Sequence, residues 1–253
     1  MEMRTMRART AARWVERWES QQQRYAVDRE ERFTVITDVV ERVTGDRTAP
    51  LVLDLGSGPG ALAARLADRL PDAEVVAVDA DPLLLELGSS HYGPALRYVE
   101  AVIGKAGWLE ALALERPMDA VVSATALHYL GESTLRRVYR ELAELLRPGG
   151  VLVNGDHIRP DEPRIAELAL HVGERHSARY VDTTEDWESW WAQAAADPEL
   201  APRLAECGPG RHPHCEGNDL TLSGHAALLR EAGFREVGSV WQFGHSHVMV
   251  AVR

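Results

Sequence analysis

The stretch LVLDLGSGPG, residues 51–60, is a short apolar run that stops at three glycines spaced two apart. A short apolar run bounded by glycines reads as a buried strand. Glycines directly after it let the backbone approach a ligand at the start of the next helix. Two spacings fit at once. Gly56, Gly58 and Ala61 match the dinucleotide fingerprint, whose last glycine can be alanine, while Gly56, Gly58 and Gly60 match a G-x-G-x-G loop. The loop alone does not choose between them.

The totals bound the answer. A chain of 253 residues is one large domain or two small ones and can bury a sizeable core. Its 45% hydrophobic and 26% charged content is that of an ordinary globular protein. The net charge of −11 disfavours a chain whose work is gripping phosphate backbones, so no nucleic-acid partner is expected. No apolar run approaches the roughly 20 residues of a membrane helix, so no membrane partner is expected either. The two cysteines, Cys207 and Cys215, make no disulfide framework, and a reducing cytoplasm is the expected location.

Outward from the glycines, strands alternate with helices. Residues 10–43 carry Trp14, Trp18, Tyr25, Phe33, Ile36 and Val40 at helical spacing, giving a helical cap over 1–46. Strands are predicted at 51–55, 74–79, 96–101, 118–126 and 151–156, with helices at 61–70, from Pro82, and at 133–146. This rhythm implies right-handed βαβ units and a parallel sheet covered on both faces. Residues 158–220 break it. After a helix at 222–234, strands at 235–243 and 247–253 are separated by only three residues, which forces an antiparallel hairpin. The expectation is one α/β domain with a Rossmann-like, doubly wound, seven-stranded sheet: cap 1–46, core 51–157, helical lid insertion 158–220, and final helix and hairpin 221–253.

Asp79, nineteen residues after Gly60, stands where either cofactor class needs an acid for its ribose hydroxyls. Three further features favour one class. Asp54 lies inside the strand before the glycines, RPGG (147–150) precedes the fifth strand, and the hairpin closes the sheet. On these motifs the chain resembles the class I S-adenosylmethionine (SAM) methyltransferases, most of all the small-molecule enzymes of bacterial secondary metabolism.

The resemblance implies SAM as cofactor, S-adenosyl-L-homocysteine (SAH) as product, and a small-molecule acceptor methylated on oxygen or nitrogen. Gly56 and Gly58 would line the methionine moiety, beside Asp54. Asp79 would hold the ribose, and Ala80, Ala101, Val102 and Ala124 would border the cofactor. Tyr25 and Arg32 would reach its carboxylate from the cap. One position departs from the family's pattern: Val102 stands where an acid commonly meets the adenine amino group, leaving Glu100 or the backbone for that role. A fold that binds SAM without transferring the methyl, and a nicotinamide oxidoreductase, are the alternatives. Monomer and homodimer both remain open.

In an open α/β sheet the ligand lies beyond the carboxyl ends of the strands. His128 follows the fourth strand there, and Asp156 and His157 end the fifth. Methylating a hydroxyl or amine requires removing a proton, which suits a histidine near its ordinary pKa. His157 is the preferred base, with neighbouring Asp156 orienting its ring, and His128 the other candidate. His212, His214, Cys215 and Glu216 in RHPHCE match no standard zinc spacing, and His245 and His247 flank the hairpin turn with His247 at its exposed end; no metal is expected. Trp187, Trp190 and Trp191 in DWESWW read as the buried face of a lid helix, or as an aromatic wall for the acceptor.

Overall fold

The computed structural model describes residues 6–26, 28–180, 185–207 and 217–253. Seven strands, β1 (Leu51–Leu55), β2 (Glu74–Asp79), β3 (Arg97–Glu100), β4 (Met118–Ala124), β5 (Leu146–His157), β6 (Glu236–Phe243) and β7 (Ser246–Val252), form one sheet in the order β3-β2-β1-β4-β5-β7-β6. All pairings are parallel except those of β7, which runs antiparallel to both β5 and β6. The strand order reverses between β1 and β4, so the crevice for a ligand opens at their carboxyl ends.

The helices are α1 (Ala8–Gln22), α2 (Arg29–Thr44), α3 (Ala61–Arg69), α4 (Pro82–Tyr92), α5 (Trp108–Leu112), α6 (Glu132–Leu145), α7 (Pro163–Tyr180), α8 (Trp187–Ala196), α9 (Ala201–Cys207) and α10 (Leu222–Glu231). Two apolar layers sandwich the sheet. On one face Leu51, Leu53 and Leu55 meet Leu135, Val138 and Leu142 of α6 and Leu228 and Leu229 of α10. On the other, Val52 and Val122 meet Phe33, Ile36 and Val40 of α2 and Leu62 and Leu66 of α3. Burial on both faces explains why β1 reads as a nearly continuous apolar run.

The described residues after β5 form α7, α8 and α9, and these helices go to two places. Gly244 in the β6–β7 turn fits against the backbone of α7 at Ala169 and Gly173, where a Cβ would come within 2.7 Å of the Ala169 carbonyl. Further along, α8 packs on α1 rather than over the strand ends. Trp190 is fully buried, with its ring 5.2 Å from Trp14 and 5.0 Å from Trp18. Leu83, Leu84 and Leu87 of α4 complete that cluster. The insertion's two ends meet at a bridge between Arg159 and Thr221, with the Leu222 N–H donating to the Arg159 carbonyl at 3.0 Å. The RHPHCE segment lies outside the described residues. Among the described residues no helix is long and apolar enough to cross a membrane.

Candidate active site

The glycine loop between β1 and α3 is a bare cradle. Gly56, Gly58 and Gly60 all take positive φ, +69°, +55° and +95°, which costs a residue with a Cβ but not glycine. Gly56 also has no room: a Cβ there would stand 2.3 Å from the Cβ of Ala126. The loop is tied to β2 by the Gly56 and Ser57 N–H groups, both donating to the Val78 carbonyl at 2.9 Å. Asp79 Oδ2 accepts from the Gly58 N–H at 2.7 Å and Oδ1 from Asp81 at 2.9 Å. A carboxylate has about four acceptor positions, so each oxygen keeps capacity for a ribose hydroxyl. Burial raises the Asp79 carboxyl above its ordinary pKa against the pull of these N–H donors. Asp54 accepts from the Ala63 N–H at 3.1 Å, and burial, reinforced by the charge of Asp79, pushes it up to about 7.

The remaining expected cofactor residues divide. Ala80, Ala101 and Ala124 sit at the carboxyl ends of β2, β3 and β4, and the Ala101 N–H donates to the Asp79 carbonyl at 2.9 Å. Val102 is 38% exposed and offers no polar side chain. Tyr25 and Arg32 are engaged elsewhere. The Tyr25 hydroxyl accepts from the Trp187 N–H at 3.0 Å, fastening α8 to the cap. Arg32 is fully buried, donating to the Gly155 carbonyl at 3.3 Å and to the Ser246 hydroxyl. Burial lowers its pKa to about 10. It therefore braces β5 against β7 in this structure. Trp18, taken in the sequence only as part of a helical stripe, stands over the loop, with its indole 3.4 Å from where a Gly58 Cβ would be.

The acid–base group differs from the expected pairing. Asp156, buried at the end of β5, accepts from the ring Nδ1 of His128 at 2.7 Å and from the His128 N–H at 3.2 Å. From His157 it receives only the backbone N–H, at 2.8 Å. Adjacent strand residues point to opposite faces, so Asp156 orients His128 and not the ring beside it. Burial works against protonating His128, but the hydrogen bond and charge of Asp156 outweigh it and hold His128 above its ordinary pKa. His157 shows the reverse: burial and the nearby Arg32 lower it to about 4. His247 is corrected too. It is 1% exposed on β7, opposite Asp156 in register.

A cavity of about 390 Å³ opens beside this group, lined by His157, Arg159, Leu170, Leu220 and His245. The rings of His157 and His245 lie 4.8 Å apart and tilted by 35°, and those of His128 and His157 lie 6.4 Å apart. The turn carrying His128 begins at Thr125, a β-branched residue at φ +52° whose N–H donates to the Gly155 carbonyl at 2.9 Å. That conformation is uncommon for such a residue, and it brings Ala126 against Gly56. His128 thus lies two residues after Ala126, the residue that meets the glycine loop.

Residues 52–150 match the family of methyltransferase domains. Residues 52–150 thus carry a methyltransferase domain. The chain is 30% identical over 201 residues to a trans-aconitate 2-methyltransferase of Methylobacterium radiotolerans, an alignment covering 79% of this chain and 62% of that one. It is 29% identical to a carboxy-S-adenosyl-L-methionine synthase of Chromohalobacter salexigens, covering 80% and 68%. An O-methyltransferase family protein from Burkholderia thailandensis shares the fold at a TM-score of 0.53 and 20% identity, covering 87% of this chain and 55% of that one. The chain thus spans less than two thirds of the first of these relatives.

Proposed function

We propose that the protein transfers the methyl group of SAM to a hydroxyl of a small, flat acceptor, with His128 as the general base. The methyltransferase domain and the glycine cradle with Asp79 support SAM as the cofactor. The observation that carries the acceptor chemistry is the His128–Asp156 pair. When bound, SAM supplies an electrophilic methyl on a sulfonium, leaving as SAH once the methyl has moved. Gly56 and Gly58 would admit its methionine portion and Asp79 its ribose. With its Nδ1–H given to Asp156, His128 keeps Nε2 to take the acceptor's proton as the new oxygen–methyl bond forms. A carboxylate acceptor has no proton to lose and would leave this pair without a task. The neutral rings of His157 and His245, with Leu170 and Leu220, suit an apolar planar ring, and α7 is the part of the insertion that would cover it. The remaining chemistry is positioning of donor and acceptor in line.

A second reading, that the chain binds SAM for a reaction other than methyl transfer, is favoured by Val102 at the adenine position and by the synthase relative. One assay separates them. The protein is incubated with SAM and a panel of phenols, aliphatic alcohols and carboxylic acids, and SAH release and acceptor mass are followed across pH. Phenols are expected to gain one methyl, at a rate that rises with pH as His128 deprotonates. Because Asp156 raises that pKa, the rise falls above the ordinary imidazole value. Methylation confined to carboxylic acids, or SAM consumed without any methylated acceptor, would contradict the proposal.

A further inference from the structure

The turn carrying His128 is gripped from a second side by the loop that ends the 158–220 insertion. Gly217 and Asn218 enter just before α10 and lie along the turn Leu127–Tyr129. The Asn218 side-chain amide donates to the Leu130 carbonyl at 2.9 Å and to the Leu127 carbonyl at 3.3 Å. Its backbone N–H donates to the His128 carbonyl, and the Gly217 N–H to the Tyr129 carbonyl, each at 3.3 Å. Four consecutive carbonyls around the base are therefore held from one loop, while Asp156 holds the ring and N–H of His128 from the opposite side. Only a side chain with two N–H donors at the end of a short stem can satisfy two carbonyls while its own backbone serves a third. Asn218 also lines the 390 Å³ cavity, so the clamp and the proposed acceptor site share a wall.

We infer that Asn218 is a positioning residue for His128: it fixes the turn so that the ring meets Asp156, whose neighbour His157 lines the cavity. This rests on the proposed role of His128 as base. The charged and titratable groups that bear on the ring are Asp156 and His157 from β5 and Arg32 from α2, and the Tyr129 ring lies beside it, 4.1 Å away and tilted by 50°. None of them is altered by changing Asn218.

The test reads His128 directly, with no acceptor needed. Its imidazole C–H signal is followed by NMR against pH in the full chain, assigned by its loss in His128→Ala. Asn218→Ala removes the clamp, and Asn218→Leu removes the donors while keeping the side chain's bulk. In both variants the titration is expected to move down from its raised position toward the ordinary imidazole value, because the hydrogen bond to Asp156 loosens. An unmoved titration in a folded variant, whatever its melting temperature, would reduce Asn218 to a loop anchor and overturn the inference. Asp156→Asn separates the two levels. It should lower the titration at least as far, and if it leaves it in place, the base assignment falls and removes the ground for the clamp.

Discussion

Replacing His128 by alanine is expected to lower the rate of methyl transfer by about 10²- to 10⁴-fold, the usual contribution of a positioned general base. SAH binding should stay close to that of the wild type, since the proposed cofactor cradle rests on Gly56, Gly58 and Asp79 and not on the His128 ring. Asp156→Asn is expected to cost nearly as much, because it keeps the shape but loses the charge that orients the ring and stabilises its protonated form. The two act as one unit, so the double variant should fall little below either single one. Initial rates of SAH release for the four proteins, with saturating acceptor, give the comparison. His157→Ala supplies the contrast: its ring is held neutral by burial and is not paired with Asp156, so its loss should weaken acceptor binding more than turnover.

Trp190→Ala is expected to destabilise the fold by about 3–5 kcal/mol, the range for deleting a large buried aromatic side chain. Trp190 has no exposed surface and sits edge-on to Trp14, Trp18 and Trp191, with centroids between 4.9 and 5.2 Å away. The void would open beneath Trp18, which covers Gly58, so SAH affinity should fall together with stability. Denaturant midpoints and SAH titrations of wild type and variant measure both. A variant of wild-type stability that loses only acceptor turnover would restore the aromatic-wall reading of DWESWW.

What the sequence made legible follows from where period and spacing are decisive. Apolar runs separated by helical stripes fix a doubly wound sheet, and three residues between the last two strands admit nothing but a hairpin. The meeting of Asp79 with the glycine loop is legible because the ends of neighbouring parallel strands lie side by side, and its carboxylate accepts from the Gly58 N–H there. Asp156 beside His157 suggests a pair, but side chains alternate along a strand, so the ring that Asp156 meets is that of His128. The same rule could have warned that His247 lies on an inward face. Arg32 carries a similar signal, for Phe33, Ile36 and Val40 mark the buried side of α2 and Arg32 falls among them. Asn218 carried none. Its role depends on a loop meeting a turn about 90 residues away, and no local pattern encodes that encounter.

The most direct measurement is calorimetric titration of the full chain with SAH, SAM and NADH, repeated on Asp79→Ala. SAH and SAM should bind the wild type with one-to-one stoichiometry, NADH should not, and Asp79→Ala should lose most of that affinity while remaining folded. Binding of NADH without SAH or SAM, or SAH binding indifferent to Asp79, would contradict the cofactor site on which the proposed methyl transfer depends.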